Sequence, residues 1–276
     1  MKVRHIPDRA RYEQMGTQAI RSHYLIENLF EANEIVLHYL DLDRAIVGSA
    51  VPVSDALILP SPTELRADFF TQRRELGVMN VGGTGNVIVE DKPHLLAYRD
   101  ALYIGRGSKE IIFESSDSSS PAKFYLISYP AHAAYSTTVS KVANAEPMEL
   151  GSEASSNKRT IYKHIHTNGI QSAQLVMGFT ELAEGSVWNT MPAHKHLRRS
   201  EIYLYFNLAD EAVVFHLMGP PEETRHIAVR NGQAVISPGW SIHAGAGTTN
   251  YGFIWAMGGE NQDYTDMDPV AVNELR

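Results

Sequence analysis

The chain of 276 residues contains no cysteine. Disulfide bonds, cysteine nucleophiles and zinc sites with cysteine ligands are therefore excluded. No stretch approaches the roughly 18 consecutive apolar residues of a membrane-spanning helix. The polar start MKVRHIPDRARYEQMG also lacks the apolar segment of a signal peptide. From these absences we expect a cytoplasmic protein.

Positive charge is also scarce. Lysine and arginine number 24 against 32 aspartate and glutamate residues, for a net charge of −8, and there is no block of five basic residues. We therefore expect neither nucleic acid nor an anionic membrane surface as a partner. A small anionic substrate stays compatible with this balance, because a few local arginines can outweigh the global charge.

Helical periodicity is scarce beyond the segment ARYEQMGTQAIRSHYLIENLF near the start. Short β-rich runs such as EIVLHYL, KFYLISY and EIYLYFNL recur instead, separated by Gly, Pro, Asp and Ser. This pattern is typical of an all-β sandwich or barrel. The polar segment 140–160 is the best linker candidate. We therefore predict two β halves, 1–145 with the helical N-terminal segment and 146–276.

Two histidines and a glutamate meet in the stretch NTMPAHKHLRRSEIYLYFN. Residues two apart on a strand face the same side, so His194 and His196 can aim at one point. Glu201 lies an odd number of residues beyond His196, so the chain between them must bend or bulge for the carboxylate to join. His243, on a later strand, would supply a fourth ligand. Three imidazoles and a carboxylate without a thiolate suit zinc, iron, manganese or nickel in a catalytic site.

A His-x-His pair alone is weak evidence for a metal. His164 and His166 have the same spacing but lack a following acidic partner, so we interpret them as part of a surface strand. His216 is interpreted as a packed core histidine, and His226 is not expected to have a direct role in the site.

The two halves resemble each other weakly. One match, of RRELGVMNVGG with RSEIYLYFNLA, places Glu75 over Glu201. A second, of DALYIGRGSKE with QAVISPGWSIH, places Glu110 over His243. Since the first half then has no imidazoles at the equivalent positions, we expect it to have lost the metal ligands and the second half to carry the chemistry.

The stretch HKHLRRSE resembles the first cupin metal motif, and GQAVISPGWSIH resembles the second. Trp240 stands where cupins usually have glycine and Gly247 where they often have asparagine, and neither departure removes a ligand. Longer stretches, among them RRELGVMNVGGTG, VWNTMPAHKHLRRSEIYLYFN and MGGENQDYTDMDPVAV, resemble the 5-keto-4-deoxyuronate isomerases of pectin and glycosaminoglycan breakdown. This second resemblance extends from about residue 70 to the end.

The resemblance implies a bicupin fold, with two jelly-roll-like halves and a few short helices, and a homo-oligomer whose expected size is a hexamer. It also implies one Zn2+ per chain, with His194, His196, Glu201 and His243 as its ligands. The implied reaction is the conversion of 5-keto-4-deoxyuronate (4-deoxy-L-threo-5-hexosulose uronate) to 3-deoxy-D-glycero-2,5-hexodiulosonate.

An aldose–ketose isomerase of this kind needs a Lewis acid at a carbonyl and a base that moves the neighbouring proton. The base is not assigned. The substrate carboxylate would favour an arginine fork, for which Arg198, Arg199 and Arg225 are the candidates. Three alternatives stay open: a related 5-deoxyglucuronate isomerase, an Fe(II)-dependent dioxygenase with the same ligands, and a non-catalytic sugar-binding cupin.

Overall fold

A computed structural model of the chain describes residues 1–145, 147–260, 263 and 266–276. Glu146, at the predicted boundary between the halves, lies outside the described residues, as do Asn261, Gln262, Tyr264 and Thr265 of the family-like stretch 257–272. Strands predominate, which confirms the all-β prediction and its few short helices. In the described part of the chain, no helix is long and apolar enough to cross a membrane.

The helices are α1 (Arg9–Glu13), α2 (Thr17–Tyr24) and four 3-10 turns at Thr63–Leu65, Phe70–Gln72, Val142–Asn144 and Val272–Glu274. The strands are β1 (Lys2–Arg4), β2 (Leu25–Ile26), β3 (Ile35–Leu40), β4 (Ile46–Ala50), β5 (Leu57–Ile58), β6 (Arg74–Asn80), β7 (Gly85–Val89), β8 (Lys92–Leu96), β9 (Ala101–Ile104), β10 (Ile111–Ser115), β11 (Phe124–Pro130), β12 (Thr138–Ser140), β13 (Met148–Leu150), β14 (Arg159–Ile165), β15 (Val176–Leu182), β16 (Trp188–Asn189), β17 (His194–Lys195), β18 (Arg199–Phe206), β19 (Val214–Gly219), β20 (Arg225–Val229), β21 (Ala234–Ser237), β22 (Ile242–Gly247), β23 (Gly252–Gly259) and β24 (Asp268–Pro269).

The chain forms two compact units. The first comprises Met1–Arg4, Leu29–Ala145 and His164–Val176, and the second comprises His5–Asn28, Glu146–Lys163 and Met177–Arg276.

The first unit contains a seven-stranded sheet, β1-β3-β4-β11-β6-β9-β12, and a four-stranded sheet, β5-β10-β7-β8. Leu76 and Val78 alternate along β6 and face the same side. They belong to one buried cluster with Val87 of β7 and Phe113 of β10, so the two sheets pack face to face as a sandwich.

The second unit repeats this plan, with the sheets β13-β14-β15-β23-β18-β21-β2 and β16-β22-β19-β20, and adds the pair β17-β24. The early helical segment packs here. The Tyr12 hydroxyl donates to the Met218 carbonyl over 3.0 Å, and the Tyr12 ring lies 5.2 Å from that of Trp240. The tryptophan that departs from the cupin motif thus anchors α1.

The strands β6 and β18 occupy equivalent places in their sheets. Leu76 opposes Ile104 across β6 and β9, and Ile202 opposes Ile236 across β18 and β21. The alignment of the glutamates that precede Leu76 and Ile202 fits this register. Ile104 then corresponds to Ile236. The residue seven positions further along is Ile111 in the first unit and His243 in the second.

By this count the residue aligned with His243 is Ile111 rather than Glu110. Glu110 is exposed and precedes β10, whereas Ile111 is the first residue of that strand and is buried in the core. An inward-facing position in the first unit is thus occupied by an aliphatic side chain where the second unit has an imidazole.

Glu75 is fully buried in the first unit. Its carboxylate accepts hydrogen bonds from the backbone N–H groups of Ala173, Gln174 and Leu175 at 2.6, 2.8 and 2.8 Å, and from the Tyr103 hydroxyl at 2.8 Å. A buried charge is costly unless it is satisfied in this way. The carboxylate therefore fixes the segment before β15 to β6.

We predict that Glu75→Gln destabilises the protein although it preserves the size of the side chain. In glutamine an NH2 group replaces one carboxylate oxygen. This group is itself a donor, so the two hydrogen bonds that the oxygen accepted would be lost. Since a hydrogen bond to a charged group contributes about 1.5–3 kcal/mol, we expect the free energy of unfolding to fall by roughly 3–5 kcal/mol. Urea unfolding measures this change.

The matched control is Tyr103→Phe, which removes one of the four bonds and should cost about 1–2 kcal/mol. If Glu75→Gln unfolds at the same urea concentration as the wild type, the carboxylate does not hold this segment.

Candidate metal centre

Three histidines and one glutamate converge in the second unit. One side-chain ligand atom from each of His194, His196, Glu201 and His243 lies within 4.8 Å of the other three. The side chains come from β17, from the residue after it, from β18 and from β22. The structure thus brings together the four residues that the two motifs single out.

A turn between β17 and β18 lets Glu201 join the histidines. His194 opposes Pro269 in the small pair β17-β24, whereas Glu201 opposes Met257 in the large sheet. The chain leaves one pair and enters the other around Leu197, which is 76% exposed. This change of direction is the bend that the odd spacing requires.

The ligand atoms of the four residues lie close together. His194 Nε2 is 3.1 Å from His196 Nε2 and 3.0 Å from His243 Nε2. Glu201 Oε2 is 3.1 Å from His196 Nε2 and 2.9 Å from His243 Nε2. First-row metals bound at about 2.0–2.1 Å place neighbouring ligand atoms roughly 3.0–3.4 Å apart. The arrangement could therefore hold a metal ion.

The protonation states also suit a cation. Burial, followed by the nearness of the His243 side chain, lowers the pKa of His194 to about 2, so its imidazole is neutral and can act as a ligand. Burial opposes the ionisation of Glu201, yet the adjoining side chains of His243 and His196 hold its pKa well below the ordinary value. A neutral imidazole and an ionised carboxylate are the forms that bind metals.

A second layer of contacts orients His196. Its Nδ1 lies 2.8 Å from the backbone carbonyl oxygen of Asp266, which accepts only if Nδ1 carries the proton. The lone pair is then left on Nε2, facing the other ligands. Arg199 donates to the carbonyls of Asp263 and Asp266 over 2.6 and 3.2 Å and so fixes this acceptor.

His216 is a packed core histidine, as expected. It is fully buried, with Nδ1 2.7 Å from the Tyr205 hydroxyl, and burial lowers its pKa to about 3. His226 is exposed. The prediction of a surface position is wrong for His164, which is 1% exposed and lies 2.7 Å from the Ser140 hydroxyl.

A cavity of about 410 Å³ adjoins the centre. Most of its wall is one face of the large sheet, because alternate residues of β13, β14, β23 and β18 line it. His194, His196 and Glu201 lie at one part of this wall. The remaining lining residues are Met148, Leu150, Arg159, Ile161, Lys163, Thr180, Thr190, Pro192, Tyr203, Phe253, Trp255, Met257 and Met267.

The three arginines singled out in the sequence do not line this cavity. Arg198 makes an ion pair with Asp266 at 2.9 Å with half of its side chain exposed. Arg199 is 2% exposed and is engaged with backbone carbonyls. Arg225 donates to the carbonyls of Glu13 and Met15 and so holds the early helical segment.

The cations that do line the cavity are Arg159 and Lys163, which the sequence analysis missed. In the sequence these two residues stand out only by their alternation with Ile161 along β14. Alternation shows that the three side chains share a face, but it does not show that this face lines a cavity.

A profile of the KduI/IolB family matches residues 28–272. A similar protein of Caldicellulosiruptor bescii is 51% identical over 276 residues, which is all of both chains. Another, of Lachnoclostridium phytofermentans, is 53% identical over 260 residues, 94% of each chain. Both are named 4-deoxy-L-threo-5-hexosulose-uronate ketol-isomerase.

Solved structures share the architecture at low identity. An IolB-like protein of Salmonella typhimurium LT2 has a TM-score of 0.70 at 14% identity, over 90% of this chain and 96% of that one. An oxalate decarboxylase has a TM-score of 0.60 at 11% identity, over 91% and 79%. At these identities the likeness shows the fold alone, and it confirms the cupin architecture.

We predict that Arg199→Gln weakens metal binding although Arg199 is not a ligand. Without the guanidinium, the carbonyl that orients His196 is no longer held. Loss of such an outer partner typically costs about 10–100-fold in metal affinity. Competition with a chromophoric chelator measures the change in dissociation constant.

The control is Arg230→Gln, because the Arg230 guanidinium also donates to a backbone carbonyl, that of Ala212, which lies outside the candidate centre. Equal metal affinity in wild type and Arg199→Gln would contradict the positioning role.

Proposed function

The chain belongs to the KduI/IolB family, and we propose that it is a metal-dependent enzyme of that family. It is a ketol-isomerase that acts on 4-deoxy-L-threo-5-hexosulose uronate. The support for the reaction is the shared name of relatives that are at least 50% identical over nearly the whole chain. The observation that carries the metal dependence is the convergence of three imidazole nitrogens and a carboxylate oxygen beside a cavity.

We propose Zn2+ as the ion, one per chain, held by His194, His196, Glu201 and His243. Neutral imidazoles and a carboxylate are ligands that zinc accepts, and the absence of thiolates is typical of catalytic sites. When bound, such an ion supplies a Lewis acid that polarises a substrate carbonyl. The hexameric assembly and the cytoplasmic location expected from the sequence remain proposals.

The protein's own groups must orient the substrate and handle its protons. The hydroxyls of Tyr203 and Thr190 lie 2.9 Å apart on the cavity wall. They can bond substrate hydroxyls and pass a proton between oxygen atoms. Thr190 has a φ of 47°, which is uncommon for a β-branched residue and is compatible with a backbone held for function. The buried rings of Phe253 and Trp255 give the cavity an apolar wall.

The alternatives differ in their support. The 5-deoxyglucuronate isomerase, the Fe(II) dioxygenase and the sugar-binding cupin share the fold and, in part, the same ligands. The likeness to the IolB-like structure is at 14% identity and bears on the fold alone. The full-length relatives favour the hexosulose-uronate isomerase.

We predict that the purified, zinc-loaded protein converts the hexosulose uronate to the 2,5-diketo product in an NMR time course in D2O. His243→Ala should lower turnover by about a thousandfold or more, because a Lewis acid contributes several kcal/mol and about 1.4 kcal/mol is tenfold in rate. Chelator treatment should abolish turnover, and added Zn2+ should restore it.

The matched control is His226→Ala, an exposed histidine outside the centre, which should retain turnover. If the protein binds one metal ion per chain but the spectrum of the hexosulose uronate does not change, the proposed substrate is wrong. Consumption of oxygen during turnover would favour the dioxygenase instead.

A further inference from the structure

One wall of the cavity carries two cations in a fixed pattern. Arg159, Ile161 and Lys163 alternate along β14, and all three line the cavity. Alternate residues of a strand share a face, so the strand presents a cation, an aliphatic side chain and a second cation. Arg159 Nη1 donates to the Asn157 carbonyl over 2.9 Å, which orients the guanidinium.

These cations are separated from the candidate metal centre by the width of several strands. The order β14-β15-β23-β18 places three strand spacings between β14 and the strand of Glu201. At about 4.8 Å per spacing, the two backbones lie roughly 14 Å apart. The side chains that project from both strands cover part of this distance, and the remainder is space for a short substrate.

The substrate has its charge and its reacting group at opposite ends. A hexosulose uronate is a chain of six carbons with an aldehyde at one end and a carboxylate at the other. The end that isomerises must reach the metal centre, so the carboxylate has to lie some distance from it. The cavity, at about 410 Å³, lies in the ordinary range for a small-molecule site.

We propose that Arg159 and Lys163 form the subsite for the substrate carboxylate, while the group of three histidines and Glu201 receives the aldehyde end. This inference rests on the proposed function. The guanidinium offers a planar fork to a carboxylate, and the ammonium adds a second charge.

The charges of the cavity support this orientation. Among its described lining residues, Glu201 carries the negative charge and Arg159 and Lys163 carry the positive charges. With a net charge of −8, the protein as a whole repels an anion, so a local pair of cations is what draws the substrate in.

The subsite would make the enzyme selective for acids. A ketol of the same length without the carboxylate would lack the group that the two cations bind, and it should be a poorer substrate. The pair would thus determine specificity, whereas the metal centre would determine the reaction.

The test uses Arg159→Gln and Lys163→Gln in the full-length, zinc-loaded protein. We expect each to lower kcat/KM for the hexosulose uronate by about 10–100-fold, mainly through KM, since each removes a charge-assisted hydrogen bond. Metal content, measured by elemental analysis, should stay at the wild-type value. Lys158→Gln is the matched control, because Lys158 neighbours Arg159 in sequence but pairs with Glu153 at the surface.

A second substrate separates recognition from structural damage. In the neutral analogue the carboxylate is reduced to an alcohol. If the cations contact the carboxylate, Arg159→Gln and Lys163→Gln should lower kcat/KM for the acid but leave that for the analogue unchanged. An equal loss on both substrates, or no loss on the acid, would overturn the assignment.

Calorimetric titration with the hexosulose uronate distinguishes failure of this inference from failure of the proposed function. If the wild type binds the acid without isomerising it and Arg159→Gln abolishes binding, the subsite stands and the proposed reaction is wrong. If the wild type isomerises the acid and the variants bind it normally, the reaction stands and the subsite is wrong. If the wild type neither binds nor isomerises it, both are overturned.

Discussion

The close approach of three imidazole nitrogens and one carboxylate oxygen is the constraint on which the second unit depends. The four groups come from β17 and the residue after it, from β18 and from β22, so their spacing of about 3 Å exists only while these strands keep their register. His243 opposes Met218, and Glu201 opposes both Ser237 and Met257. A slip of one residue would turn either side chain to the other face of its sheet. The pairing of these strands thus holds the ligands in place.

The first unit shows what the same position does without imidazole partners. Glu75 and Glu201 precede equivalent residues of equivalent strands, and both are buried. Backbone N–H groups and a tyrosine hydroxyl surround Glu75, whereas His196 and His243 adjoin Glu201. The carboxylate is the same in both units. Its neighbours decide whether it stabilises a loop or forms part of a centre that could bind a metal.

Sequence reasoning succeeded where local spacing determines the outcome. Strand alternation and motif spacing identified the four converging residues, and the odd spacing before Glu201 required the bend at Leu197. It could not place the arginines, because closeness in sequence to a motif does not tell which way a side chain points. Arg199 is directed into the backbone behind His196. Arg159 lines the cavity because the sheet places β14 beside strands that are distant from it in the sequence.

The architecture of this protein is compatible with more than one reaction. The fold is shared with an oxalate decarboxylase at 11% identity, so the architecture alone does not fix a reaction. A polarising ion acts on any carbonyl that reaches it. Which carbonyl does so depends on the side chains that hold the rest of the molecule. In the proposed subsite Arg159 and Lys163 lie on β14, three strands away from the strand of Glu201. Neutral residues at these two positions would therefore change which substrate is accepted and leave the four candidate metal ligands in place.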